Sequence, residues 1–400
     1  LDLVDLVSEL KSRNLALPLL IRFDDILEDR LERLHAAFER AIAQYSYQGR
    51  YQGVFPVKCN QQRHVVEELV SCGHRWNFGL EAGSKAELLI ALSLLDDPEA
   101  LLICNGYKDR LYIETAILAR RLGRQPVVVI EQPDEVDRII EASKNLGAAP
   151  YIGVRAKLSS RSTGRWGSSV GDKAKFGLSI PELLATVERL REHNLLQDLR
   201  LLHFHIGSQI NDIAVLKDAL QEAGQIYVEL IRLGAPMGFL DVGGGLGIDY
   251  DGSRTASAAS TNYSLQNYAN DVVATVRECC EPNGVAVPTL VSESGRAIAS
   301  HFSLLVFDVL VAKHAEQHGI RVDDARVESL AEAEEGALRK QVAEELGDMS
   351  FSEYVWRLFG MREHAWRASL RLRTAQRLYQ GYVLRYLALR EDRVRVRFLV

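Results

Sequence analysis

The chain has 400 residues, 47% hydrophobic and 26% charged, an ordinary balance for a globular protein and a length beyond one small core. A net charge of -6 argues against a general nucleic-acid binder. Five cysteines (Cys59, Cys72, Cys104, Cys279, Cys280) form no CxxC pair, so neither a disulfide framework nor a zinc site is expected.

A reducing cytoplasm fits that cysteine usage best. No apolar run approaches the ~20 residues that span a bilayer, so no membrane partner is expected. The chain opens on Leu1-Asp2-Leu3 with no signal-peptide pattern and no initiator methionine, and is expected to begin inside a longer protein.

Residues 1–18 read as a weak helical segment ending near Pro18, and 19–23 as a strand. Asp24 to about Tyr47 is an amphipathic helix with Ile26, Leu31, Leu34, Phe38 and Ile42 on one side. Short apolar runs then alternate with longer helical patterns. Strands are expected at 53–58, 76–80, 101–104, 127–130, 151–155, 200–205, 238–242 and 289–293. Helices are expected at 61–72, 84–95, 109–122, 134–146, 181–194, 212–233 and 264–281. This is the α/β pattern of a (β/α)8 barrel. A doubly wound open sheet is the alternative, disfavoured by the regular strand count and the lack of an early GxGxxG. Beyond His301, a strand at Phe302–Val311 leads into a helical hairpin or small bundle over 324–347 and 351–390. Val394 to Val400 alternate like a final strand. The expected division is 1–50 leading in, 51–312 as the barrel, and 313–400 as the helical segment.

The carboxyl ends of the expected strands carry Lys58, Glu81, Asn105, Glu131, Arg155, His205, Gly243-Gly244-Gly245 and Glu293. Barrel enzymes place their chemistry at that end because the βα loops converge there. Each residue also has a plainer reading. Lys58 could be a salt-bridged surface lysine, since any lysine among apolar neighbours needs a partner or a chemical role. The three glycines could form an ordinary tight turn, or could turn backbone N–H groups toward a phosphate. Glu293 and Arg296 could simply pair with each other, or could face a protonated pyridine nitrogen and a phosphate. Alternation puts His203 and His205 on one face of their strand, where a ring could stack on a planar ligand or merely fill the core. No third ligand at metal spacing stands beside them, so zinc is not expected. Read together, the residues suit pyridoxal phosphate, with a lysine for its aldehyde, an anion site for its phosphate and a carboxylate for its ring nitrogen.

The stretches GVFPVKCNQQRHVVEELV, FGLEAGSKAELLIAL, ICNGYKDRLYIETA, GVRAKLSSRSTGRWGSS with KFGLS, LHFHIGSQI, DVGGGLGIDYDGS and SESGRAIASHFS carry a resemblance. Across residues 19–312 the chain resembles the fold-type III (alanine-racemase-like) pyridoxal-phosphate decarboxylases of ornithine, diaminopimelate and arginine. Within them it is similar to the biosynthetic arginine decarboxylases. The resemblance implies that Lys58 holds the cofactor aldehyde and that His205 stacks on the ring. It implies that Gly243, Gly244, Gly245 and Arg296 form the phosphate site with Ser208 nearby, and that Glu293 partners the pyridinium. Glu81 would be the acidic residue near the tether, and Arg155 a cofactor-side polar group. It also implies a helical insertion after the barrel, a homo-oligomer (dimer or tetramer) and dependence on Mg2+, for which the sequence offers no ligand set.

The chain departs from that family after the barrel. The family's β-rich domain, its Cys-x-x-x-Asp segment and a late Gly-Tyr contact are not found, and Cys279 and Cys280 lie on a barrel helix. The chain is therefore expected to be shortened at both ends and weakly active or inactive. The expected reaction is decarboxylation of L-arginine to agmatine and carbon dioxide, feeding polyamine synthesis. A sister decarboxylase acting on ornithine, lysine or diaminopimelate, and a regulatory pseudoenzyme, remain the alternatives.

Overall fold

A computed structural model describes residues 2–159, 176–306, 323–346, 349–359 and 362–388. Eight parallel strands close into a barrel: β2 (Tyr51–Pro56), β3 (Gly79–Ala82), β4 (Leu101–Cys104), β5 (Gln125–Ile130), β6 (Tyr151–Arg155), β7 (Leu199–His203), β8 (Phe239–Asp241) and β9 (Thr289–Glu293). Each strand pairs with its sequence neighbour, and β2 pairs with β9 to close the ring. The expected (β/α)8 barrel is therefore the observed fold.

Period-two alternation explains how these short strands build two cores. Val54, Ile103, Val127, Val129, Leu201 and Val291 point inward and pack on one another as the barrel's interior. Their neighbours Phe55, Leu102, Val128, Leu202 and Leu290 point outward, into the larger core beneath the helices. Every one of these side chains is buried, and each contributes about 1.5–3 kcal/mol relative to exposure.

The helices follow the strands: α3 (Arg63–Gly73), α4 (Lys85–Leu94), α5 (Arg110–Arg121), α6 (Glu135–Leu146), α7 (Ile180–Glu192), α8 (Ile213–Arg232), α9 (Leu265–Cys280) and the short α10 (Gly295–Ala299). Side-chain caps start several of them: Ser84 accepts from Glu87 N, Asp109 from Tyr112 N, and Asp212 from Ala214 N. Since α10 has only five residues, α2 (Asp24–Gln44), which precedes the barrel, packs between α9 and α3 and completes the outer ring.

A second compact unit takes in the described residues within 1–21, 251–253 and 304–400. It holds α1 (Leu3–Ser12) and three helices, Asp324–Leu346, Phe351–Phe359 and Glu363–Ala388. Ala331, Val355, Trp366 and Leu370 form its core, and Glu335 takes ion pairs from Arg339 and Arg367. The strands β1 (Leu19–Arg22) and β10 (Ser303–Val306) form a separate two-stranded sheet. The expected continuation of β10 to residue 311 and the final strand at 394–400 lie outside the described residues. Among the described residues, no helix is long and apolar enough to cross a membrane.

Candidate active site

The inward alternation that fills the barrel also fixes what stands at its carboxyl end. Two residues beyond an inward apolar position comes the next inward one. Ile103 leads to Asn105, Val129 to Glu131, Leu201 to His203, Phe239 to Asp241 and Val291 to Glu293. These polar side chains are nearly all buried, and most line a cleft of about 690 Å3, within the size range of small-molecule sites.

Lys58 enters the same cleft. The expected strand 53–58 stops at Pro56, and Val57–Cys59 form a turn of 3-10 helix, so Lys58 stands just past the strand end. Its Nζ lies 2.9 Å from Glu81 Oε2, with Lys58 54% exposed and Glu81 fully buried. Burial alone would lower the lysine's pKa, but the carboxylates of Glu81 and Glu293 outweigh it and raise it above the ordinary value.

The floor of the cleft is built by Glu293. Its Oε1 accepts a hydrogen bond of 2.6 Å from Asn105 Nδ2. His203 Nδ1 lies 3.1 Å from Asp241 Oδ2 and 3.7 Å from Glu293 Oε1. Burial, then the charges of Asp241 and Glu81, push the Glu293 carboxyl up to about 8, with His203 and Lys58 pulling the other way. On the neighbouring wall Arg155 Nη1 donates to Glu131 Oε1 at 3.0 Å.

One corner gathers a guanidinium, two hydroxyls and a glycine turn. Arg296, on α10, donates to Ser208 Oγ at 2.9 Å and to Tyr250 Oη at 3.1 Å. Gly244 and Gly245 line the cleft beside them. The backbone requires glycine here: Gly243 has φ +67° and Gly245 φ +104°, and a Cβ on Gly243 would sit 2.2 Å from Phe204 O. The Gly243 N–H donates to Asp241 Oδ1 at 2.9 Å, and the Gly244 N–H to His205 Nδ1 at 3.2 Å. With Nδ1 accepting, the neutral His205 ring carries its proton on Nε2. Burial, with Arg155, His203 and Lys58 adding to it, holds the His205 pKa well below its usual value.

The family model for the pyridoxal-dependent decarboxylase, pyridoxal binding domain, matches residues 28–300. This chain belongs to that family. Two similar relatives are biosynthetic arginine decarboxylases. That of Parasynechococcus marenigrum (strain WH8102) is 96% identical over 310 residues, covering 78% of this chain and 48% of the relative. That of Prochlorococcus marinus (strain MIT 9313) is 84% identical over 310 residues, with the same coverage. The chain thus spans about half the length of the curated relatives it matches. Among solved structures, the biosynthetic arginine decarboxylase of Campylobacter jejuni is similar at 29% identity and a TM-score of 0.69, over 94% of this chain and 64% of that one. Helicobacter pylori diaminopimelate decarboxylase shares the fold at 23% identity and a TM-score of 0.60, over 74% of this chain and 68% of that one.

The residues of this pyridoxal-dependent decarboxylase domain fit the cofactor of its family. Glu81 Oε1, Asn105 Oδ1 and Glu131 Oε2 are buried without a well-aligned hydrogen bond among the described residues. Such groups are costly in an empty protein and ordinary beneath a polar ligand. Lys58, Glu81, Arg155, His205, Ser208, Gly244, Gly245, Glu293 and Arg296, all expected at the site, line one cleft. Gly243 stands behind it, its N–H spent on Asp241. The sequence had flagged Asn105 and Glu131 only as strand ends, and it gave Asp241 and Tyr250 no role.

Magnesium has no comparable fit. The group of potential metal ligands found among the described residues is His203, Asp241 and Glu293. An imidazole suits zinc or copper, whereas magnesium takes oxygen ligands and keeps its waters.

Proposed function

We propose that this chain supplies the cofactor-binding barrel of a biosynthetic arginine decarboxylase, converting L-arginine to agmatine and carbon dioxide for polyamine synthesis. The observation that carries the reading is the convergence of Lys58, Glu293 and the Arg296–Ser208 corner on one cleft. Pyridoxal phosphate, when bound, supplies an aldehyde for the amino acid and a ring that accepts the electrons left by the departing carboxylate. Lys58 would hold that aldehyde through its Nζ. Glu81 keeps the Lys58 amine in place. Glu293, steadied by Asn105, holds the ring nitrogen's proton. Arg296 and Ser208 would hold the phosphate beside the Gly244–Gly245 turn, and His205 would face the ring as a neutral imidazole. Arg155, tied to Glu131, positions the polar wall opposite.

The close relatives favour arginine over ornithine, lysine or diaminopimelate, since both carry the arginine-decarboxylase name. We place the catalytic unit at 51–312 and the helical insertion at 313–400. We also expect a cytoplasmic homo-oligomer of two or four chains. The test is direct. The purified protein with added pyridoxal phosphate should show the cofactor's visible absorbance, and Lys58→Ala should lose it. Release of carbon dioxide, with the four amino acids in competition, should favour arginine. A colourless protein, or preferential turnover of another amino acid, would overturn the reading.

A further inference from the structure

We propose that His203 is a positioning residue: with Asp241 it forms a buried dyad that places a positive charge beneath Glu293 and favours the ionised form of that carboxylate when it meets a protonated ring nitrogen. The inference rests on the role proposed above for Glu293 and extends it to two residues behind the site.

The geometry begins with strand register. His203 on β7 lies opposite Asp241 on β8, which lies opposite Val291 on β9, two residues short of Glu293. Three adjacent strands thus bring one imidazole and two carboxylates together, with all three ligand atoms within 4.8 Å and all three side chains buried. Two buried carboxylates so close do not both ionise without a cation between them.

Charge balance identifies that cation. Four buried carboxylates stand in the cleft or directly beneath it: Glu81, Glu131, Asp241 and Glu293. Lys58 pairs with Glu81 and Arg155 with Glu131, which leaves Asp241 and Glu293. His205, its Nδ1 accepting from Gly244, brings no charge, and Asn105 brings only a dipole. A protonated His203 neutralises one of the two remaining carboxylates. One negative charge is then left, on Glu293, for a protonated ring nitrogen. Burial alone would lower the His203 pKa, but Asp241 and Glu293 outweigh it and raise it above the usual value. Asp241 also anchors the dyad to the glycine turn, because its Oδ1 accepts the Gly243 N–H.

Two measurements test this. Nitrogen-15 NMR of labelled histidines, assigned by loss of the signal in His203→Gln, reads His203 in the cofactor-free protein. It should titrate above the ordinary value near 6.5, and lower in Asp241→Asn. Equilibrium dialysis then gives the affinity for pyridoxal phosphate of wild type, His203→Gln, Glu293→Gln and the double variant. Each single change should weaken binding at least tenfold. The double should be no weaker than Glu293→Gln alone, because the dyad acts only through that carboxylate. A neutral His203 at pH 7, or additive losses in the double variant, would overturn the inference. If wild type does not bind, or Glu293→Gln binds as wild type does, the Glu293 reading falls and takes the inference with it. A silent His203→Gln beside a weakened Glu293→Gln sinks the inference alone. Should His203→Gln not fold, the wild-type signal is assigned by elimination with the other histidine variants, and its titration decides.

Discussion

Removing the ammonium of Lys108 should test how the cleft is held in shape. Lys108 and Glu135 are both fully buried, with Nζ 3.1 Å from Oε2. Lys108 Nζ also donates to the carbonyl of Gly106, next to the Asn105 that grips Glu293. Glu135 accepts from Lys108 N at 2.9 Å and from Glu131 N at 2.8 Å, and Glu131 carries the carboxylate that holds Arg155. The pair therefore ties the two loops that present Asn105 and Glu131.

Lys108→Met keeps the chain length and strands the Glu135 carboxylate in the interior. Breaking a buried pair in this way costs about 3–5 kcal/mol. Adding Glu135→Gln removes the stranded charge but leaves one amide oxygen where two carboxylate oxygens accepted backbone N–H groups. The double variant should therefore recover about half of the loss, remaining about 1–3 kcal/mol below wild type for the N–H it cannot satisfy. Urea unfolding followed by circular dichroism reads both, as a shift of midpoint at unchanged slope. If Lys108→Met lies within about 1 kcal/mol of wild type, or the double is less stable than that single variant, the reasoning is wrong.

Three further outcomes follow from the same geometry. Glu293 holds its proton in the folded state up to about 8, against a usual value of 4.5, so the folded chain binds more protons than the unfolded one between those values. Stability of the cofactor-free protein should then fall as pH rises through that window, and melting temperatures of Glu293→Gln should fall less; equal slopes would count against the buried-carboxyl argument. Arg296→Met should weaken pyridoxal phosphate by about 10- to 100-fold, the worth of a charge-assisted hydrogen bond, and leave unphosphorylated pyridoxal unaffected; equal losses for both would remove Arg296 from the phosphate corner. Gly243→Ala should cost at least ~1–3 kcal/mol from its positive φ, while Gly238→Ala, where an added Cβ meets nothing within 4 Å, should be nearly neutral; similar melting temperatures for the two would refute the strain.

The barrel was legible because its two periods are local. A run such as Val127–Ile130 followed by the pattern of α6 needs no knowledge of distant residues to be read as strand and helix. The strand end at Lys58 was less so. Pro56 ends the ladder, and the turn at Val57–Cys59 carries the lysine clear of it, a choice that apolar patterning does not record. The glycine run shows a different limit. Its composition suggests three N–H groups facing a phosphate, yet two of them are committed to Asp241 and His205, partners whose approach only the closed barrel creates. Lys108 was invisible for the same reason, since its partner Glu135 opens α6, after the next strand.

What the sequence does hold is a counting rule. Closure of the barrel makes every inward position share one interior, so the residue two places past the last inward apolar side chain must stand in the cleft or directly beneath it. Applied from Val54, the count ends at Pro56, beyond which the turn carries Lys58; from Ile103 it reaches Asn105, from Val129 Glu131, from Leu201 His203, and from Val291 Glu293. Applied from Phe239, it reaches Asp241, the residue that patterning alone passed over. The polar layer is thus fixed by the same alternation that fixes the apolar one. A one-residue slip of β7 would turn His203 out of the interior and bring Phe204 in, so the hydrophobic pattern that sets the strand's register also sets the charge beneath Glu293.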